Sequence, residues 1–136
     1  MNIGQTRILI VDDSPTDRGL MAAFVESFGW RAATASDGVA GVALAFREPF
    51  DALVFDHNMP GRTGLQVVNQ IRREPGPNRR TPALIWTASD IRPLAAAAAG
   101  IDRLEVVNKP LGRAAFGGWV RRVCGLDRQM PTRCAC

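Results

Sequence analysis

Three carboxylates and one amine stand where short apolar runs stop. Asp12-Asp13 follow Arg7-Ile8-Leu9-Ile10-Val11, Asp56 follows Asp51-Ala52-Leu53-Val54-Phe55, and Lys109 follows the run from Leu104 to Val107. A further run, Ala83-Leu84-Ile85-Trp86, ends at the hydroxyl of Thr87. Carboxylates brought together repel, and their ionised forms need a cation or a shared proton. Mg2+ suits such a group, because it takes one or two carboxylates, keeps several waters and leaves a position for a phosphoryl oxygen. Mn2+ prefers the same oxygen donors and can take its place. A lysine and a hydroxyl facing the same spot would hold the remaining oxygens of a phosphoryl group.

That chemistry requires the ends of distant segments to meet, so the elements between them matter. The apolar runs lack polar alternation, the pattern of strands buried on both faces of a parallel sheet. Ser14-Pro15 reads as an N-cap with proline at the first helical position, and Leu20, Phe24 and Phe28 give the next helix an apolar stripe that Gly29 stops. Trp30 to Ala35 is a weaker strand, and Ser36-Asp37-Gly38 opens a helix through Phe46. Met59-Pro60-Gly61 forms a turn before a helix carrying Leu65, Val68 and Ile71, and Pro75 to Arg80 is a polar loop. An alanine-rich helix runs from Pro93 to Ala99 and breaks at Gly100, and a last helix covers Arg113 to Cys124. Phe24, Phe28, Phe46 and Phe116 read as core.

Five strands, each followed by a helix and spaced about 25 residues apart, imply an α/β fold with a parallel sheet and helices on both faces. The expected architecture is a doubly wound (βα)5 sheet of flavodoxin-like order 2-1-3-4-5, in which the first and third strands flank the switch point. Asp12, Asp13 and Asp56 then converge at one mouth of the sheet. His57, the one histidine, is expected to point away from it, since neighbouring strand residues face opposite sides.

The chain resembles the response-regulator receiver domain from about Arg7 to Cys124. The matching pieces are Ile8 to Ser14, Phe50 to Gly64, Thr87-Ala88 and Lys109-Pro110, each at a strand end and in order. The resemblance implies that Asp56 is the phosphoryl acceptor, a carboxylate nucleophile attacking a phosphohistidine. It implies that Asp12, Asp13, Asp56 and the backbone carbonyl of Asn58 hold Mg2+. Thr87 and Lys109 would bind phosphoryl oxygens, Ala88 would leave room for access, and Pro110 would set the turn after the lysine through a cis bond, which costs little before proline. Asn58 and Ser89 flank the position where such domains tune dephosphorylation.

Three features depart from the resemblance. Val106 stands where an aromatic residue is common, Leu111 replaces the usual phenylalanine after Lys-Pro, and Gly100 to Lys109 is about two residues long relative to the usual spacing. With Gly117-Gly118 inside the last helix, each glycine costing roughly 1 kcal/mol relative to alanine, the expectation is a loosened face around the last strand and helix.

Length and composition set the remaining bounds. The chain has 136 residues, 46% hydrophobic and 22% charged, which fits one core. The expected division is a receiver domain over residues 1–125 and a flexible tail over 126–136. The net charge is +4, but Lys109 is the sole lysine among 17 basic residues. The arginines are spread from Arg7 to Arg133, with pairs at Arg72-Arg73, Arg79-Arg80 and Arg121-Arg122, which reads as dispersed surface charge rather than a nucleic-acid interface. Cys124, Cys134 and Cys136 fit no disulfide framework or zinc site. No signal peptide or membrane span is expected, so the protein should be cytoplasmic.

The function expected is that of a phosphoacceptor switch in a two-component phosphorelay, not a turnover enzyme, with intrinsic loss of its own phosphoryl group. Its partners would be a histidine kinase or histidine phosphotransfer protein and a downstream target protein, with no DNA-binding domain and no membrane. The alternatives are a receiver fragment of a larger regulator or hybrid kinase, or a receiver-like module that binds partners without phosphorylation. An aspartyl-nucleophile phosphatase would want Asp-x-Asp after the first strand, and a nicotinamide site a glycine-rich loop where the chain has Asp12-Asp13-Ser14-Pro15.

Overall fold

The computed structural model describes residues 5–126, in which strands and helices alternate. In chain order they are β1 (Arg7–Val11), α1 (Pro15–Ser27), β2 (Arg31–Ala35), α2 (Gly38–Arg47), β3 (Ala52–Asp56), α3 (Gly64–Arg73), β4 (Ala83–Thr87), α4 (Ile91–Ala98), β5 (Leu104–Asn108) and α5 (Arg113–Val123). Cys134, Cys136 and the rest of the expected tail beyond Leu126 lie outside the described residues.

All pairings are parallel and the strand order is 2-1-3-4-5, the architecture read from the sequence. The three central strands are the uninterrupted apolar runs, and side-chain alternation divides them between two cores. Leu9, Val11, Leu53, Phe55 and Ile85 meet Ala45, Val67, Val68, Ile71 and Leu94 from α2, α3 and α4. Ile8, Ile10, Val54, Leu84 and Trp86 meet Met21, Val25, Phe116, Trp119 and Val120 from α1 and α5. Each buried side chain of this size contributes about 1.5–3 kcal/mol, and strands buried on both faces are fixed in register.

The apolar stripe of α1 differs from the one the sequence suggests. Met21 and Val25 face the core, Leu20 is exposed, and Phe24 and Phe28 are half-buried at the helix edge. The aromatic rings instead close the seam between α1 and α5. Phe24 lies 6.5 Å from Phe116 between centroids, and Phe28 stacks on Trp30 at 4.7 Å. The guanidinium carbons of Arg113 and Arg121 sit 4.0 and 4.8 Å from the Phe28 centroid. Phe46 is likewise half-buried, packed at the edge of the opposite core, whereas Phe116 is fully buried.

Gly117 belongs to the same seam. A Cβ built there would fall inside contact distance of three Phe28 ring carbons, whereas one at Gly118 meets nothing within 4 Å. Gly117 is therefore a close-packing position rather than slack, which corrects half of the expectation of a loosened last helix. Val106 and Leu111 pack, half-buried, on opposite faces of the sheet.

The two glycines should respond oppositely to the same substitution. Gly117→Ala overpacks a ring already held by Trp30, Arg113 and Arg121 and should destabilise by about 1–3 kcal/mol. Gly118→Ala should stabilise by up to about 1 kcal/mol through helix propensity. Urea unfolding of the two variants checks both signs, and equal effects would refute the seam.

Candidate functional site

The register of β1 on β3 pairs Val11 with Phe55, so the next residues, Asp12 and Asp56, stand side by side. β3 on β4 pairs Asp56 with Trp86, and β4 on β5 pairs Thr87 with Asn108, which places Thr87 and Lys109 at the same mouth. Gly64 closes the loop behind Asp56. A Cβ at that position would lie 2.7 Å from the Asp56 carbonyl oxygen, so a larger residue would push α3 off the strand end.

Carboxylate oxygens of Asp12, Asp13 and Asp56 lie within 4.8 Å of one another. Asp12 and Asp56 are buried and Asp13 is exposed, so the cluster opens to solvent on one side. Three hard oxygen donors in that arrangement suit a divalent cation. Burial is the main cause that pushes the Asp56 carboxyl up, to about 6, and the charge of Asp12 adds to it. Lys109 and the Asn58 N–H act in the opposite direction. Asp12 is also raised, chiefly by burial, against the Ser14 N–H that its Oδ1 accepts at 2.9 Å.

Lys109 stands over this cluster. Its Nζ is 3.4 Å from Asp56 Oδ1 and 3.5 Å from Asp12 Oδ2, and it donates to Asp17 Oδ2 at 2.7 Å. The Trp86 ring lies under the ammonium, 4.5 Å from its centroid. Burial works against the charged amine, but the Asp17 hydrogen bond and the charges of Asp12 and Asp56 outweigh it and raise the pKa. The bond from Lys109 to Pro110 is cis.

Thr87 is buried, and its hydroxyl oxygen accepts from Asn58 Nδ2 at 3.0 Å and from the Ser89 N–H at 3.1 Å. Both lone pairs are thereby taken, and what the residue has left to offer is its O–H. The Thr87 carbonyl accepts from the Lys109 N–H at 2.8 Å and from Asn108 Nδ2 at 3.2 Å, which ties the two strand ends together.

The structure thus gathers Asp12, Asp13, Asp56 and Lys109 in one cluster, with Thr87 at the adjoining strand end and Asn58 bridging to it. His57 lines a shallow groove with Asn58, Leu65, Thr87, Ser89, Pro93 and Leu94, and burial lowers its pKa. Asp17, Trp86 and Asn108 went unnoticed in the sequence. Asp17 had one available signal, since it lies four residues after Asp13 and a helix beginning at Pro15 carries it back past the strand end.

The chain belongs to the response regulator receiver domain family, whose sequence model matches residues 8–117. It is 39% identical over 84 residues to protein PilH of Pseudomonas aeruginosa, covering 62% of this chain and 69% of that protein. It is 30% identical over 105 residues to a probable chemotaxis protein CheY of Rhizobium etli, covering 76% and 81%. Among solved structures, the receiver domain of the P. aeruginosa sensor histidine kinase PA1611, which has a magnesium ion coordinated in its active site cleft, superposes with a TM-score of 0.79 at 27% identity, covering 90% of this chain and 99% of that one. Against several longer regulators and kinases the matched stretch spans about a third of the relative or less. The protein is accordingly a receiver module of two-component signalling. Among the described residues, no helix is long and apolar enough to cross a membrane.

An acid whose folded-state pKa is raised stabilises the fold below its unfolded value and loses that contribution as pH rises through the folded one. For Asp56 the window runs from 3.8 to about 6. In EDTA, Asp56→Asn should therefore gain stability over the wild type as pH rises from about 4 to about 7, by on the order of 2 kcal/mol. Denaturant unfolding at the two pH values checks this, and a pH-independent difference would refute the burial of an ionising Asp56.

Proposed function

We propose that Asp56 accepts a phosphoryl group from a phosphohistidine on a histidine kinase or a histidine phosphotransfer protein, and that the two states of the chain bind a downstream target protein differently. The observation that supports this most is the meeting of one buried carboxylate with two others, an ammonium 3.4 Å away and a threonine whose O–H is left to donate. An Asp56 carboxylate oxygen attacks phosphorus, the phosphorus–nitrogen bond breaks, and the imidazole leaves with the electron pair. Lys109 and the Thr87 O–H then hold two of the three terminal oxygens.

The donor set fits Mg2+, with Mn2+ as a substitute, and Asp12, Asp13, Asp56 and the backbone carbonyl of Asn58 would hold it. When bound it supplies positive charge against the transferring phosphoryl oxygens. The elevated pKa values of Asp12 and Asp56 support that reading, since a cation would offset both the burial that chiefly causes them and the added repulsion. The phosphoryl group adds about −1.5 to −2 charge at the mouth of the sheet, and a target that distinguishes the two states shifts the population. On this reading the chain is an acceptor that loses its phosphoryl group by hydrolysis, not an enzyme that turns over free substrates, and it works in the cytoplasm.

Incubation with acetyl phosphate and Mg2+ should add one phosphoryl group by intact-mass spectrometry. Asp56→Asn should abolish the adduct, and equal labelling of both proteins would sink the assignment. Asp17 takes the shortest hydrogen bond from Lys109 and so competes with the incoming phosphoryl oxygen for it. Asp17→Ala should raise the labelling rate by roughly threefold to tenfold, equivalent to about 1 kcal/mol. A slower time course would show that Asp17 positions the lysine rather than diverting it.

A further inference from the structure

The amino-terminal end of the sheet, opposite the carboxylates, has the reverse charge. Two arginine pairs that are separate in sequence, Arg72-Arg73 and Arg79-Arg80, meet the loop after α4 around a cavity of about 530 Å3. The arginines that read as dispersed along the chain are, at this place, convergent.

Arg72 forms one wall and is already spent on structure. Its Nε donates to the Asp102 carbonyl at 2.9 Å, Nη1 to the carbonyls of Asn78 and Arg79 at 3.3 and 3.1 Å, and Nη2 to those of Thr81 and Arg103 at 2.7 and 3.1 Å. Five carbonyls satisfy its donors but bring no negative charge. Among the described residues, no carboxylate oxygen lies within the 4.0 Å of an ion pair with Arg72. Beneath the α3–β4 loop, buried Asn78 donates to the carbonyls of Ala45 and Glu48 at 2.6 and 2.7 Å, so the frame is held on both sides. Arg79 is tied in turn, its Nε donating to the Arg72 carbonyl at 3.2 Å.

The compensation present is small. Asp102 is the one carboxylate that lines the cavity, 3.8 Å from Arg80 and 3.7 Å from Arg103, and these exposed pairs are screened by water. The carboxyl end of α3 adds about half a negative charge, and Glu74 at its C-cap accepts from Gln70 rather than lining the cavity. Four guanidiniums thus leave a positive excess in a concave site. Next to it, a second depression shares Asn69 and Arg73 and extends along α3 to Arg62 and Gln66. Together they form an elongated basic trough whose one sizeable apolar lining residue is Ile101.

We propose that this trough binds a small molecule carrying two or more phosphate groups. Guanidiniums present paired N–H donors that match phosphate oxygens. The volume is that of a small-molecule site. Apart from the stems of its polar residues, the lining offers one sizeable apolar side chain, Ile101, and so lacks the side-chain pockets a peptide would need. The larger cavity, at the carboxyl end of α3, is separated from Asp56 by the length of that helix, about 15 Å for ten residues, so occupancy there does not depend on the acceptor chemistry.

Calorimetric titration of the full chain in EDTA at about 0.15 M salt, where the carboxylate mouth repels anions, tests this with inorganic triphosphate, ATP and GTP. The expected result is saturable one-to-one binding with Kd below roughly 1 mM. Arg73→Ala and Arg80→Ala, both at exposed positions, should each weaken it about tenfold or more while leaving the thermal midpoint and acetyl phosphate labelling as in the wild type. Equal affinity for triphosphate and nucleotides identifies the polyphosphate as the ligand, and tighter nucleotide binding adds the nucleoside to it. No saturation by roughly 10 mM, binding that both variants retain, or tighter binding of an oligoglutamate peptide than of any phosphate would each overturn the proposal.

Discussion

Parallel register places Asp12 beside Asp56, and that single adjacency sets the conditions for everything around it. Two carboxylates on neighbouring central strands, each cut off from water, hold their protons more tightly chiefly through burial, and the charge of Asp12 adds to the effect on Asp56. The fold balances the pair locally. Lys109 reaches both from the last strand, the Ser14 N–H caps one, the Asn58 N–H caps the other, and Trp86 offers its ring face to the ammonium. None of these groups adjoins another in sequence except through the strand ends that carry them. The balance is incomplete, because Asp17 draws the lysine at 2.7 Å while Asp12 and Asp56 hold it at 3.4 to 3.5 Å.

What the sequence made legible were the features that depend on one segment at a time. Continuous apolar runs announced β1, β3 and β4, and the polar residue closing each run marked the mouth of the sheet. The caps of α1 and α2 were equally local, with Ser14 accepting the Asp17 N–H and Asp37 that of Ala40. Less legible was everything decided by one element leaning on another. Leu20, Phe24 and Phe28 have helical spacing, but α5 rather than the sheet receives the two rings, and Met21 and Val25 take the core. Gly117 looked like a weakness in a helix and is the place where Phe28 lies against it. Asp17 and Trp86 joined the site only because helix and strand geometry brought them to a lysine some ninety and twenty residues away, respectively.

The charge count likewise changed meaning once it was distributed in space. A net +4 spread over the sequence says little, yet the folded chain gathers acid at one end of the sheet and guanidiniums at the other. α3 joins the two, with Gly64 packed on the Asp56 carbonyl at its start and Arg72 clasping two loops at its end. The two ends also differ in what their cations do. Lys109 is a compact charge with three rotatable donors over carboxylates, whereas Arg72 spends a rigid planar fork on neutral carbonyls.

Lys109 is also the chain's only side-chain amine. For any reagent that acylates or alkylates amines the protein therefore has two addresses, the α-amino group and the centre of its own acidic cluster. The second is partly sheltered, with the side chain 17% exposed and its ammonium held in ion pairs that favour the unreactive protonated form. Chemical accessibility at that one nitrogen is consequently a direct gauge of how tightly the cluster is closed, read without a probe attached anywhere else.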